Sequence, residues 1–371
     1  MSTMPNLPPV EITESVEALW GIALQPVGCL HCGQAFLAEA DYVGHLCPYC
    51  ASGKLESQPA RLRPEPPELL VPFAKGRAEV LAAYQRFVNG VWLHTDDFNP
   101  ESLLRRTVPV FWPVWLLDSQ VCGNWQAEIG FDYQVKSSQE FFQAGGWHTR
   151  QVVEKRVRWE PRLGSLERFY ENIRVPALTE HQKMMKMVGE YQLDHAESYQ
   201  AEKTRKAALQ VPDLQPENAW PLAQANLDRA AADECRQAAE GQHVRNFSIK
   251  ADYQDLHWTQ LLLPVYLSYY TDDDGKPQLV YVNGQTGVTG GVRLASQHKG
   301  WKWAGMLAGG GLILFVLGLL AFALTTLFPP LNALGIFLVL AALGLIASAI
   351  VPAVWPWQWN RGQQPPKIIR S

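Results

Sequence analysis

Apolar and polar positions are spread very unevenly along this chain. Residues 303–360 carry no charge and contain two apolar runs, 304–328 and 331–354, separated by Pro329-Pro330. A hydrocarbon core about 30 Å thick is crossed by roughly 20 helical residues. Each run is long enough to span, so the pattern predicts a C-terminal transmembrane hairpin. Upstream of residue 300 the chain is too polar to span, which leaves a large polar part tethered by the hairpin.

Shorter periods organise that polar part. A helix is predicted around Lys75–Trp92, with Val80, Leu81, Tyr84, Phe87 and Val88 along one side. The Asp96–Pro100 segment breaks it, and Asn99 or Glu101 opens a further short helix. Val108–Asp118 is apolar, aromatic and β-branched, which predicts a buried strand. Period-two alternation returns at Phe131–Val135 and Gln151–Glu160. A second apolar strand at Leu262–Tyr270 echoes the first: Trp112-Pro113-Val114-Trp115-Leu116 aligns with Leu263-Pro264-Val265-Tyr266-Leu267. It leads through a polar turn, Asp272–Gly275, into Leu279–Val282 and the hairpin signal Asn283-Gly284. Between the strand sets, residues 179–245 are polar and then Ala-rich, and predict a helical insertion.

Cysteine spacing adds a fourth unit. Four of the six cysteines form Cys29-x2-Cys32 and Cys47-x2-Cys50, which reads as a tetrahedral four-thiolate zinc site rather than a disulfide pair. Four sulfurs close the coordination shell, so the predicted Zn²⁺ is structural. His31 and His45 flank the knuckles and read as surface residues. A ribbon this small buries little apolar surface, so the metal supplies much of its folding free energy. The prolines of 58–72 predict a stiff linker that keeps the ribbon separate.

The predicted fold class is therefore α+β, with an N-terminal four-cysteine zinc ribbon, a central α+β domain with a helical insertion, and a C-terminal two-helix transmembrane hairpin. The expected boundaries are a flexible N-terminus 1–18, the ribbon 19–57 and the linker 58–74. The α+β domain follows as 75–178 and 246–298, interrupted by the insertion 179–245. Spans 304–328 and 331–354 precede a cytoplasmic tail 355–371.

Charge then narrows the setting. Lys299 and Lys302 precede the first span and Arg361, Lys367 and Arg370 follow the second, while the connecting loop is uncharged. The positive-inside tendency puts both ends on the cytoplasmic side, with Trp301, Trp303, Trp355, Trp357 and Trp359 at one interface. The first residues show no basic and apolar signal pattern. A multi-pass protein of the cytoplasmic (inner) membrane is the expectation. Gly305 and Gly309 form a GxxxG pair suited to close packing within the hairpin or, second, to homo-oligomerisation.

The net charge of −4 carries no broad basic excess, and residues 29–50 contain no Lys or Arg. Nucleic-acid binding, which is built on phosphate contacts, is disfavoured, and protein contact is preferred. No catalytic constellation emerges. Asp272–Asp274 reads as a turn, Asp194-His195 and His148 lack a nucleophile signature, and Cys122 and Cys235 read as isolated thiols. The glycines at 284, 287, 290 and 291 lack the lysine and strand-to-helix context of a phosphate loop.

The order of these features resembles the bacterial membrane-anchored zinc-ribbon proteins similar to YdjG, whose members are often described as helicase-like or TFIIB-type because of the ribbon. The residues that carry the resemblance are Cys29–Cys50, Pro113-Val114-Trp115-Leu116-Leu117-Asp118, Leu263–Leu267, Val282-Asn283-Gly284-Gln285-Thr286-Gly287 and the two spans. The resemblance implies a non-enzymatic membrane adaptor that recruits stomatin/flotillin-like (SPFH-domain) or phage-shock-type stress proteins. A membrane-tethered nucleic-acid-binding protein is the second reading, and a membrane enzyme the third.

Overall fold

A computed structural model of the chain describes residues 24–57, 66–143, 145–326 and 328–363. The strands are β1 (Gln25–Cys29), β2 (Ala35–Ala38), β3 (Leu55–Ser57), β4 (Leu69–Leu70), β5 (Val108–Gln143), β6 (Gly146–Pro176), β7 (Glu197–Ser198), β8 (Ala208–Gln210), β9 (His243–Thr271), β10 (Pro277–Asn283) and β11 (Thr289–Gly291). The helices are α1 (Arg77–Asn89), α2 (Pro100–Arg105), α3 (His181–Val188), α4 (Pro216–Ala238), α5 (Gln297–Ala323), α6 (Leu331–Ser348) and α7 (Ile350–Gln363). The expected N-terminus 1–18, the first residues of the expected ribbon (19–23), the first eight residues of the expected linker (58–65) and the last of the expected tail (364–371) lie outside the described residues.

Among the described residues eleven strands join one sheet, in the order β11-β10-β9-β5-β8-β2-β1-β3, with β4 beside β9, β7 beside β4 and β6 beside β5. The two strand sets that echo each other in sequence are thus neighbours, with Val110 opposite Val265 and Trp112 opposite Leu263. The echoed prolines explain themselves here. Proline donates nothing to a ladder and is tolerated where pairing lapses. Pro113 falls where β5 exchanges β8, last paired at Phe111, for β6, first paired at Val114. Pro264 falls where β9 exchanges β4, last paired at Leu262, for β10, first paired at Val265.

The expected separate ribbon is instead fused to this sheet. Phe36 and Leu37 of β2 pair with Gln210 and Leu209 of β8. The ribbon's Val27, Phe36, Cys29, Cys47 and Leu55 share one buried cluster with Val110, Trp112 and Val265. The physical reason is size: a few apolar side chains cannot exclude water from one another, and a shared core lets them. The linker expectation is corrected in the same way, because Leu69 and Leu70 pair with β7 and β9.

The helical insertion is likewise only partly helical. Residues 181–188 and 216–238 form α3 and α4, but Ala208–Gln210 is a strand wedged between β5 and β2. The polar stretch before it offers no apolar helical face, whereas Ala207–Val211 is a continuous buried run, as suits a strand. The Ala-rich part does form a helix, α4. Ala219, Ala223, Leu227, Ala231 and Cys235 recur every fourth residue and are buried, the first four in a cluster with Trp115, Leu117 and Val121. Small alanines let the helix lie close to the sheet. Cys122 is half-buried in β5, and both thiols are free.

Beyond this body the sheet narrows. Strand β9 ends its pairing where His243 meets Gly130, while β5 and β6 continue together to Gln143 and Gly146. At about 3.3 Å per residue, residues 131–143 extend a two-stranded arm by about 40 Å. The arm tip is aromatic and exposed: Phe142 is 62% and Trp147 73% accessible, their rings 5.6 Å apart.

Helix α1 follows its predicted face, burying Val80, Ala83, Tyr84, Phe87 and Val88. Its first turn is closed by Glu79 Oε2, which accepts from the Gly76 amide at 2.8 Å. Asn99 caps α2 as expected, accepting the Ser102 amide at 2.8 Å.

Helices α5 and α6 to α7 form two helices long and apolar enough to cross a membrane. A soluble core would bury such helices, yet Ile313 and Phe337 are 63% and 68% exposed. The hairpin closes on Gly311, Gly318 and Gly335: a Cβ at Gly311 would lie 2.7 Å from Ile346, and one at Gly318 would lie 2.8 Å from Val339. The GxxxG expectation within the hairpin is corrected, because Cβ atoms at Gly305 and Gly309 would meet nothing within 4 Å. The expected tail is also partly structured. Residues 355–363 continue α7, and Trp355 and Trp359 pack against the cluster of Tyr84, Phe87 and Tyr270.

Candidate metal centre

The four predicted ligands converge. Their sulfurs all lie within 4.8 Å of one another, with Cys29 Sγ 3.7 Å from Cys50 Sγ and Cys32 Sγ 3.7 Å from Cys47 Sγ. Tetrahedral bonds of about 2.3 Å place thiolates about 3.8 Å apart. The separations suit four sulfurs around one ion and are far longer than a disulfide. The four cysteines can therefore hold a metal ion.

Local turns bring them there. The Gly33 amide donates to the Cys29 carbonyl at 2.8 Å, and the Ala51 amide to the Cys47 carbonyl at 2.9 Å. Each knuckle then leaves through a left-handed residue, Gly33 at φ 74° and Ala51 at φ 51°. Gly53 is a third requirement. A Cβ there would stand 2.5 Å from Cys29 Sγ, and its amide points at Cys50 Sγ, 3.5 Å away. The glycine is visible in Cys50-Ala51-Ser52-Gly53, but only the fold shows that it lies against the opposite knuckle.

Burial and backbone amides act differently on the individual thiols. Burial pushes the Cys47 thiol up, and burial chiefly pushes Cys32 up to about 12. Burial also acts on Cys50, but the amides of Gly53 and Ser52 outweigh it and lower its pKa. Without an ion, Cys32 and Cys47 hold their protons. A bound cation displaces them, which couples metal affinity to pH.

The centre is clamped to the central body from both sides. Tyr42 donates its hydroxyl to the Lys206 carbonyl at 2.9 Å, and Tyr49, inside the second knuckle, donates to Glu180 Oε2 at 2.5 Å. Burial raises Tyr42 to about 12. Burial, then the Glu180 carboxylate, raises Tyr49, so both hydroxyls remain donors at neutral pH. His31 and His45 are exposed and contribute no ligand atom to the four-cysteine group.

Among the described residues, the other polar candidates form no second metal-holding group. Asp194 and His195 line a cavity of about 400 Å³ with Glu197 and Gln285. Gln285 serves as a staple there, accepting the Gln192 amide at 2.9 Å and donating to the Gln192 carbonyl at 2.9 Å. Glu197 is taken up by Lys203. His148 is remote from this cavity, at the arm tip beside Phe141. Asp272–Gly275 is the predicted turn, with the Gly275 amide donating to Asp272 O at 3.1 Å. Its Asp273 has a second task, accepting from Ser296 Oγ and the His298 amide at the start of α5.

Comparison of the chain with protein-family models, with curated proteins and with solved structures finds no match.

Proposed function

We propose that this protein is a membrane-anchored adaptor whose metal-stabilised, cytoplasm-facing body presents a β-ribbon arm to protein partners. The observation that carries this reading is the arm itself. An isolated two-stranded ribbon is at best marginally stable in water, and this one ends in exposed Phe142 and Trp147. Aromatic anchors of this kind dominate protein interfaces. The four-cysteine site has no open coordination position, so it supports folding rather than catalysis, and zinc is the ion that four thiolates suit best. Lysine and arginine at the flanks of α5 and α7 favour an inner membrane with both ends in the cytoplasm. The resemblance to membrane-anchored zinc-ribbon proteins suggests SPFH-domain or phage-shock-type partners.

The nucleic-acid reading is weaker for a specific reason. Of the arm's three arginines, Arg156 pairs with Glu154 at 2.9 Å and Arg158 with Glu160 at 2.8 Å. Phosphate binding requires cations not already neutralised in this way.

The test is co-purification of tagged full-length protein from gently solubilised membranes, with Cys47→Ser and Trp147→Ser alongside. A specific protein partner lost in Trp147→Ser, with membrane insertion intact in both variants, supports the proposal. A partner set identical in all three, or recovery of nucleic acid alone, refutes it.

A further inference from the structure

The junction between the soluble body and the apolar helices holds a second concavity. A cavity of about 400 Å³ lies between α1 and the loop that joins β10 to β11. Arg86 and Arg293 line it together with Thr286, whose Oγ1 accepts the Val288 amide, and Thr289, whose hydroxyl donates to the Gly287 carbonyl. No acidic residue lines it. Among the described residues, neither guanidinium has a carboxylate partner. This contrasts with Arg106, which is held by both oxygens of Asp97 at 2.7 and 2.8 Å. Two arginines on the wall of one space that carries no counter-charge suit an anion placed between them.

Position narrows the anion. Arg293 lies over the rings of Phe87 and Trp359, at 5.6 and 5.7 Å. Trp359 stacks on Trp355 at 5.3 Å, and Trp355 meets Trp92 at 5.3 Å. Tryptophans gather at the headgroup level of a bilayer, and Arg293 stands four residues before α5 begins. The cavity therefore sits beside the indole cluster where the chain leaves the soluble body. Guanidinium is the side chain best matched to phosphate oxygens, through paired N–H donors.

We propose that Arg86 and Arg293 form a phosphate-binding site for the headgroup of an anionic phospholipid. The proposal rests on the membrane reading above. Occupation would fasten the loop 284–289 and α1 to the lipid surface, fixing the attitude of the body and its arm. A soluble phosphate offers the same chemistry, and the two sources separate experimentally.

The experiment reconstitutes full-length protein in nanodiscs of phosphatidylcholine, with or without phosphatidylglycerol, and counts retained lipids by native mass spectrometry. Wild type should retain phosphatidylglycerol selectively. Arg86→Gln should weaken retention about fivefold, the effect of one basic residue near an anionic surface, while Lys54→Gln should leave it unchanged. Arg86 is exposed, so its replacement spares the fold; Arg293→Gln, which also loses ring contacts, serves as the second variant. Retention of added inorganic phosphate in pure phosphatidylcholine discs, lost in Arg86→Gln, would keep the site's chemistry but overturn its assignment to lipid. Equal phosphatidylglycerol retention in wild type and both arginine variants overturns the site altogether. Failure of the protein to enter nanodiscs would instead refute the membrane reading on which it rests.

Discussion

The indole nitrogen of Trp359 donates to the backbone carbonyl of Arg293 at 2.7 Å. That single bond joins the end of the second apolar helix to the last residues before the first one. Asn360 reinforces it, accepting the Ala295 amide at 2.8 Å and donating to the Ala295 carbonyl at 2.9 Å. The helical hairpin is thus locked to the sheet body at both of its ends. Trp359→Ala should cost about 2 kcal/mol, less than a fully buried tryptophan because Trp359 is only part-buried. Trypsin should then cut at Arg293 in detergent-solubilised protein, where wild type resists. Unchanged cleavage would mean that the lock contributes nothing.

Gly53→Ala should abolish metal binding as completely as Cys47→Ser. The added methyl would lie 2.5 Å from Cys29 Sγ and 2.7 Å from His31 Cβ, so the first knuckle must shift to admit it. Elemental analysis of purified protein reads the outcome directly. A full complement of metal in Gly53→Ala would show that the knuckles can spread apart.

Chelation should loosen more than the ribbon. Cys29 and Cys47 are buried in the cluster that contains Val110, Ala208 and Val265. Hydrogen exchange after metal removal should quicken at Ala208–Gln210, whose strand bridges ribbon and body, as well as at 25–57. Exchange confined to the ribbon would indicate an independent unit, as the sequence alone predicts.

Acid should weaken the junction near α2. Asp97 accepts two bonds from Arg106 and one from the Thr271 amide at 2.7 Å. The Arg106 side chain, opposed by burial and aided by that amide, holds the carboxyl below its ordinary range. A depressed folded-state pKa stabilises above the unfolded value, about 3.9, and the stabilisation is lost as pH falls through the folded value. Melting temperature should therefore drop below about pH 4 in wild type. Asp97→Asn should be less stable at neutral pH and show a smaller drop. Parallel acid curves would assign the effect to other carboxylates.

Much of this architecture is legible in residue order. Paired CxxC spacing names all four sulfur ligands, because short-range turns place them two by two. The uncharged stretch names both long helices, and the strand echo at Pro113 and Pro264 marks the central pair. What the sequence conceals is long-range. Nothing local in Ala208–Gln210 says that it will pair with Phe36 and Leu37, since three residues are too few for a periodic signal. GxxxG at Gly305 and Gly309 suggests a packing face, yet the wider spacing of Gly311 and Gly318 is what the second helix meets. Helix packing depends on which face the connecting turn and the Trp359 lock select. Gly53 escapes notice because its neighbour, Cys29, is far along the chain.

The proposal that the arm is a docking element is tested most directly by a photo-crosslinking amino acid in place of Trp147. The protein would be expressed full-length and irradiated in intact cells, with the same amino acid in place of exposed Leu163 as the control. A discrete adduct with one other protein, formed from position 147 and not from 163, is the predicted result. Adducts absent at 147, or formed equally from both positions, would contradict the adaptor account.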